Sequence, residues 1–198
     1  MNVMQWFKIY EEILADFGFS REEDEKAAKI MKELGGGKLM DESALEVLKG
    51  KDVAVIGGAY EGEEIREDVK ITAGKAIYRV DFTPNIHVTD LEEDEGILVE
   101  LESKGCILVL HAHGDNIEQI RSVVPKLKKF VGTTQSVPFD RIYNFGGFTD
   151  GDRAALIAKK FGARKIRLYG FNFEKADNKI KLKKLKWAKR ILEKEGII

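Results

Sequence analysis

From Lys51 onward, the chain alternates short apolar runs with longer amphipathic stretches. The short runs have the length of strands, and the amphipathic stretches have the apolar spacing of helices. Such alternation is typical of βαβ units, so it predicts an α/β fold with a Rossmann-like, mostly parallel sheet flanked by helices. The predicted strands are Val53–Ile56, Val69–Thr72, Ile86–Thr89, Ile107–Leu110, Phe130–Thr133, Arg141–Asn144 and Ile166–Tyr169. The predicted helices are Asp94–Ser103, Asn116–Lys129, Asp150–Phe161 and Asn178–Glu195.

Residues 1–50 show a different pattern, without a convincing strand. Apolar residues recur at helical spacing between Ile9 and Phe17 and again between Ala27 and Leu34, which predicts two or three helices. Three glycines from Gly35 end the second helix, and a short helix begins at Asp41 and ends near Gly50. We therefore predict a helical N-terminal segment over residues 1–50 and a Rossmann-like domain over residues 51–198.

Charge and composition narrow the classes of partner. With 33 basic and 34 acidic residues, the formal net charge is -1, which gives no overall field to gather nucleic acid or an anionic membrane. The start lacks a leader-like pattern, and no apolar run approaches the ~20 residues of a membrane span. The single cysteine, Cys106, lies in an apolar run and is expected to be a buried thiol. These features predict a cytoplasmic protein with small-molecule partners, and they leave a homodimer open.

The chemistry is expected where the strands end, because ligands of open parallel sheets bind beyond the carboxyl ends of the strands. The residues that follow the predicted strands are polar, charged or glycine, and we expect them to meet at one edge of the sheet. They are Gly57 and Gly58, Asp90, the segment 111–116, Thr134 and Gln135, and the segment 146–153.

Acids and histidines form the sharpest of these groups. Asp90, with further acids behind it, suits a hard cation such as Mg²⁺, although an aspartate there is also a good helix cap. His111, His113 and Asp115 alternate along an extended chain, so their side chains point to one side and could converge on one centre. Zinc is a candidate, since the string resembles the metallo-β-lactamase family. The further histidine ligands of those hydrolases are missing, because the one other histidine, His87, lies inside a strand.

Two glycine pairs could approach phosphate. Gly57 and Gly58 are a weak signal, because the full dinucleotide-binding pattern is not met, which disfavours an NAD or FAD enzyme. Gly146 and Gly147 precede Thr149 at a predicted helix start, where backbone N–H groups favour anions. Asp150 and Asp152 would repel phosphate unless a cation bridges them or Arg153 contacts it, and a capping loop is the structural alternative.

Four segments in order carry a family resemblance: VTDLEED at 88 to 94, HAHGDN at 111 to 116, GTTQ at 132 to 135 and NFGGFTDGDRA at 144 to 154. Together with the tail KLKKLKWAKRILE, they resemble the archaeal 6-hydroxymethyl-7,8-dihydropterin pyrophosphokinases, which are related to the thiamine pyrophosphokinase catalytic domain. The resemblance extends over about residues 50 to 192. It implies transfer of diphosphate from ATP to the hydroxymethylpterin with Mg²⁺, giving the pterin diphosphate and AMP.

The resemblance also implies roles for residues. Mg²⁺ is assigned to Asp90 and Asp115, and then to Asp150 and Asp152. His111, His113 and Asp115 are the candidate catalytic residues. Candidate pterin or nucleotide contacts are Gly57, Gly58, Thr133, Thr134, Gln135, Asn144, Gly146, Gly147 and Arg153. The chain departs from the wider superfamily at Ala73, where an acid is expected, and at Glu92 and Asn172, where aspartates are expected.

A thiamine-type or other small-alcohol pyrophosphokinase is the nearest alternative, because residue chemistry alone does not rank one acceptor alcohol above another. A metal-dependent phosphoester hydrolase could use the same acids and histidines with water as the nucleophile. A non-catalytic nucleotide-binding module is the third alternative, and turnover of ATP would distinguish it from both enzymes.

Overall fold

The computed structural model describes residues 1–198, which form two compact units. The first unit contains Met1–Ala44 and Thr89–Gly146, and the second contains Leu45–Val88 and Gly147–Ile198. The domain boundary near residue 50 stays a prediction.

Six α-helices and seven strands make up the two units. The helices are α1 (Val3–Phe17), α2 (Arg21–Gly35), α3 (Glu95–Ser103), α4 (Ile117–Val123), α5 (Asp150–Lys160) and α6 (Lys179–Lys194). The strands are β1 (Asp52–Ile56), β2 (Val69–Ala73), β3 (Ile86–Thr89), β4 (Ile107–Ala112), β5 (Val131–Thr134), β6 (Ile142–Tyr143) and β7 (Lys165–Tyr169). Short 3-10 helices cover Gly36–Lys38, Glu42–Leu48, Gly74–Arg79, Gly114–Asn116 and Val124–Lys126.

In the first unit, β5 lies between β4 and β6, and both pairings are parallel. Helix α2 packs on β4, β5 and α4, so the N-terminal helices share one core with these strands. The largest fully buried side chains of that core include Trp6, Tyr10, Leu39 and Phe130. Because the strands are parallel, their carboxyl ends lie at the same edge, where His111 of β4 is opposite Thr133 of β5.

In the second unit the strand order is β3-β2-β1-β7, again with parallel pairing throughout. Helix α5 packs on β1, β2 and β7, and α6 packs on α5 through Ala188, Ile191 and Leu192. The parallel strands and flanking helices of the two units confirm the predicted α/β class. Cys106 is buried as expected, and burial raises the pKa of its thiol to about 12.

Several predicted boundaries need correction. Helix α4 ends at Val123 instead of Lys129, because Pro125 has no N–H with which to continue the helix and begins a 3-10 turn. The helix predicted after Asp41 is a 3-10 helix, and β6 contains two residues instead of four. Strand β4 continues to Ala112, so His111 lies within the strand and not in the loop. None of the helices has both the length and the apolar character that crossing a bilayer requires.

Candidate functional site

His111 is buried at the end of β4, with 1% of its surface exposed. Its Nδ1 lies 3.0 Å from the hydroxyl oxygen of Thr133. The Thr133 hydroxyl donates its proton to the carbonyl of Leu110 at 2.9 Å, so its oxygen accepts from His111. The neutral His111 ring therefore carries its proton on Nδ1 and its lone pair on Nε2.

His113 has the opposite tautomer. Its Nδ1 accepts the backbone N–H of Asp115 at 3.3 Å, so the neutral ring carries its proton on Nε2. That Nε2 lies 3.7 Å from Oδ2 of Asp90. The two side chains keep 19% and 25% of their surface exposed, respectively. The strand end thus presents an N–H and a carboxylate side by side to incoming molecules.

The side chain of Asn116 bonds to the backbone of Asp90 and of both histidines. It is 3% exposed, and its side-chain amide donates to the carbonyls of Asp90 and His111, both at 2.7 Å. Its side-chain oxygen accepts the backbone N–H of His113 at 3.1 Å. One buried amide therefore joins the backbone of Asp90 to the backbone of His111 and His113.

The backbone after Asp90 is fixed as well. Leu91 has a φ of 70°, a left-handed conformation that costs a non-glycine residue free energy. The hydroxyl oxygen of Thr89 accepts the Leu91 N–H at 2.7 Å, and the hydroxyl donates to Glu93. The N-cap of α3 is Asp94, which accepts from Gly96 N. The helix-cap alternative for Asp90 is therefore wrong, because Asp94 caps α3.

Carboxylate oxygens are the ligands that Mg²⁺ prefers, and it often uses only one or two of them beside phosphate oxygens and waters. The Asp90 side chain fits this description, and Asp115 is exposed on the neighbouring turn. The structure contains no group of three or more His, Cys, Asp or Glu side chains that could hold a metal ion by themselves.

The predicted contacts after β5 and β6 are engaged within the first unit. The Gln135 amide donates to Asp24 at 2.7 Å, and its backbone carbonyl accepts from Trp6 Nε1 at 2.8 Å. The hydroxyl oxygen of Thr134 accepts Ser136 N at 3.2 Å. Asn144 donates to the Ser136 carbonyl at 2.7 Å and accepts Gly146 N at 2.9 Å. These bonds order the strand ends, while the substrate contacts assigned to these residues and to Thr133 stay predictions.

In the second unit, Gly57 is required by close backbone packing. A Cβ there would lie 2.8 Å from the Gly170 carbonyl oxygen, whereas a Cβ at Gly58 would meet nothing within 4 Å. An irregular segment, not a helix, follows β1 and leads to β2. Gly57 and Gly58 therefore do not open a helix, and their phosphate contact stays a prediction.

The loop before α5 uses its acids internally. Asp152 is fully buried, and its two oxygens accept Phe148 N at 2.8 Å, Thr149 N at 2.7 Å and the Thr149 hydroxyl at 2.6 Å. This is the capping box expected from the sequence. Burial raises the pKa of Asp152, and the bonds from Thr149 and Phe148 oppose that rise.

Arg153 and Gly147 complete that loop. The Arg153 guanidinium donates to Asp150 at 2.9 Å in an ion pair whose side chains are 3% and 12% exposed, respectively. Gly147 has a φ of +92°, and a Cβ on it would lie 2.5 Å from the Cα of Arg153. The glycine and the charged pair thus have structural reasons to be there, and their assigned phosphate and metal contacts stay predictions.

Two residues of the first unit escaped sequence reasoning. Asn116 ends the HAHGDN motif, and its bridging role depends on the carbonyl of Asp90, which is 26 residues away along the chain. Asp24 lies in the acidic first turn of α2, where acids are common, and nothing local marks it.

Comparison with known proteins gives concordant matches. Residues 64–178 match the family model described as 6-hydroxymethylpterin diphosphokinase MptE-like. The chain is 32% identical to the 6-hydroxymethyl-7,8-dihydropterin pyrophosphokinase of Methanocaldococcus jannaschii, over 97% of this chain and 95% of that protein. Identity to the Pyrococcus furiosus protein of the same name is 35%, over 98% and 94% of the two chains. For that of Methanothermobacter thermautotrophicus it is 36%, over 87% and 79%.

Proposed function

The chain belongs to the MptE-like family of 6-hydroxymethylpterin diphosphokinases, and from this premise we propose that it transfers diphosphate from ATP to 6-hydroxymethyl-7,8-dihydropterin. It is a pyrophosphokinase, and the products we assign are the pterin diphosphate and AMP. In this reaction the hydroxymethyl oxygen forms a bond to the β-phosphorus of ATP. The bond between that phosphorus and the oxygen bridging to the α-phosphate breaks, AMP leaves, and the hydroxyl proton is lost.

The observation that carries the proposal is the pairing of Asp90 and His113, two residues of the first unit. Their reacting groups, a carboxylate oxygen and an imidazole Nε2, lie 3.7 Å apart and remain partly exposed. Phosphoryl-type transfer requires positioning and neutralisation of charge more than covalent help from the protein. A fixed carboxylate beside a fixed N–H donor supplies that kind of environment.

Because the two histidines have different tautomers, we assign them different roles. Since Nδ1 of His113 is occupied by the Asp115 N–H, the neutral ring acts as a donor through Nε2, and we assign it to a phosphate oxygen. His111 has its lone pair on Nε2, as a general base requires, but the ring is buried against Thr133. We therefore assign His111 to holding the strand end, with base catalysis as its alternative role.

Mg²⁺ would be held by Asp90, with Asp115 contributing directly or through a water. When bound, the cation neutralises charge on the phosphate oxygens of ATP. Arg153, Gly57, Gly58, Gly146 and Gly147 are secondary candidates for phosphate contact. Asp150 and Asp152 are the weakest metal candidates, because their oxygens already accept the hydrogen bonds of the α5 loop.

The test is the identity of the nucleotide product. The protein is incubated with ATP, Mg²⁺ and either 6-hydroxymethyl-7,8-dihydropterin or thiamine, and nucleotides are separated by chromatography. AMP formed in step with pterin diphosphate supports the proposal. If AMP forms faster with thiamine than with the pterin, thiamine is the acceptor instead. ADP as the sole nucleotide product, or phosphate release without an alcohol, would reject diphosphate transfer and favour a kinase or a hydrolase.

A further inference from the structure

A buried carboxylate in the N-terminal helices contacts the candidate site's loop. Asp24 of α2 is 3% exposed. Its Oδ1 accepts the backbone N–H of Gly114 at 2.8 Å. Its Oδ2 accepts the Tyr10 hydroxyl at 2.6 Å and the Gln135 amide at 2.7 Å. One side chain therefore joins α1, α2, the turn after β4 and the end of β5.

Burial of a carboxylate is costly unless donors replace its water. The three donors around Asp24 do so, and hydrogen bonds to a charged acceptor are about twice as strong as neutral ones. Burial and the bond to Asp24 raise the pKa of Tyr10, so its phenol stays protonated and remains a donor. Both oxygens of Asp24 therefore have hydrogen-bond donors, which fixes the position of its carboxylate.

Packing at Gly114 tightens the same connection. A Cβ on Gly114 would lie 2.8 Å from the Cβ of Glu23, so only a glycine lets the turn approach the first turn of α2 this closely. The Ser20 side chain accepts Glu23 N and caps that turn of the helix. The turn after β4 is therefore seated on a capped helix end and bonded to it through Asp24.

We propose that Asp24 is a positioning residue for the diphosphate-transfer site, acting through the Gly114 N–H to hold His113 opposite Asp90. The inference rests on the proposed function. Gly114 directly follows His113, and His113 has its ring fixed by Asp115 on the other side of Gly114. A shift of the turn would displace the His113 Nε2–H from the transferring group. The N-terminal helices are then part of the catalytic apparatus, although the family model begins only at residue 64.

The test compares Asp24→Ala with a matched control, Glu102→Ala. Glu102 is 8% exposed and accepts Lys128 N at 2.8 Å and Lys129 N at 2.6 Å, so it is a buried, bonded carboxylate of the same unit that does not touch the turn. For Asp24→Ala we expect kcat per folded molecule to fall about 10-fold or more while KM changes little. For Glu102→Ala we expect lower stability with kcat within about twofold. Asp24→Asn, which keeps an oxygen for Gly114, should recover part of the loss.

Coupling to His113 separates positioning from general destabilisation. In a His113→Ala background, Asp24→Asn should cost little further turnover, because the group it positions is gone. Equal kcat losses for Asp24→Ala and Glu102→Ala, or full additivity with His113→Ala, would overturn the proposal.

Hydrogen exchange of the Gly114 amide tests the contact without any assay of activity. NMR should show faster exchange in Asp24→Ala, a smaller increase in Asp24→Asn, whose neutral amide oxygen accepts a weaker hydrogen bond, and unchanged exchange in Glu102→Ala. If the wild type makes no AMP with any alcohol, the proposed function fails. This exchange measurement then decides whether Asp24 fixes the turn, and unchanged protection of Gly114 would reject that role. Should Asp24→Ala fail to fold, Asp24→Asn carries both measurements.

Discussion

Two loops of this protein look alike in sequence and differ in what they do with their acids. The turn after β4, HAHGDN, and the loop before α5, GFTDGDR, both follow a strand and combine glycine with aspartate. In the turn after β4, Asp115 stays exposed and the neighbouring Asp90 remains partly exposed. In the loop before α5, Asp152 is fully buried in a capping box, and Asp150 pairs with the buried Arg153.

The two loops differ in which residues make the hydrogen bonds to their backbone groups. After β4, a neutral amide, Asn116, and a distant carboxylate, Asp24, make the hydrogen bonds to the backbone, and the carboxylate of Asp115 is exposed. Before α5, the local acids make those bonds themselves. Acid-rich strand ends therefore do not indicate chemistry by composition alone, and the hydrogen-bond partners decide.

The largest effect is expected for Asp90→Asn. The amide keeps the size of the side chain but loses the charge assigned to Mg²⁺, so turnover should fall by about 10³-fold or more. The free energy of unfolding should change by less than about 0.5 kcal/mol, because Asp94 and not Asp90 caps α3. Turnover and urea unfolding measured on one preparation check this. Near-normal turnover would remove Asp90 from the site.

The next largest effect is expected at His113, where removal of the Nε2–H should lower turnover about 10²-fold. His113→Asn is the sharper variant, because its side-chain oxygen can still accept the Asp115 N–H that Nδ1 accepts in the wild type. His113→Ala loses both groups, so only the alanine variant should also lose stability.

The histidine variants also address the zinc alternative. We expect activity to follow added Mg²⁺, to resist zinc-selective chelators, and to fall in His113→Ala without release of a tightly held metal. Stoichiometric zinc in the purified wild type, lost in His113→Ala, would contradict the Mg²⁺ assignment and favour the hydrolase.

For Asp152→Ala we expect the opposite of Asp90→Asn, namely a loss of stability with little change in turnover. It leaves two backbone N–H groups and the Thr149 hydroxyl without their acceptor, which should cost about 2 kcal/mol of stability. Turnover per folded molecule should stay within about twofold of the wild type if Asp152 only caps α5. Thermal unfolding and single-turnover assays at a temperature where both proteins are folded make the comparison. A large loss of turnover at full folding would restore Asp152 as a ligand.

Much of the fold was predictable, because buried parallel strands are continuous apolar runs that stand out from amphipathic helices. All seven strands form where those runs occur, and no strand end is shifted by more than two residues. The errors have local causes. Pro125 shortened α4, and β6 is short since Asn144 turns back to bond Ser136 and Gly146.

The site was less predictable, since its decisive bonds are long-range. Asp24 is 90 residues from Gly114 and 111 from Gln135 along the chain. No spacing rule connects such positions. The rings of His111 and His113 stack with their centroids 6.1 Å apart, but the spacing of these residues does not predict that His111 is buried and that the two rings carry their protons on different nitrogens.

The smallest effect, and the finest test of the comparison, is expected for Asp115→Asn. The Asp115 carboxylate is exposed, and the backbone N–H of this residue donates to His113, a bond that asparagine retains. Stability should therefore change by less than about 0.5 kcal/mol. If the carboxylate reaches Mg²⁺ only through a water, turnover should fall about 10-fold, and raising Mg²⁺ should recover part of it. A loss as deep as that of Asp90→Asn would make Asp115 a direct ligand, because removal of either of two direct carboxylates abolishes the same charge. Turnover measured across a Mg²⁺ titration for both variants separates these cases. If turnover of Asp115→Asn is unchanged, Asp90 is the one of these two acids with a role in catalysis.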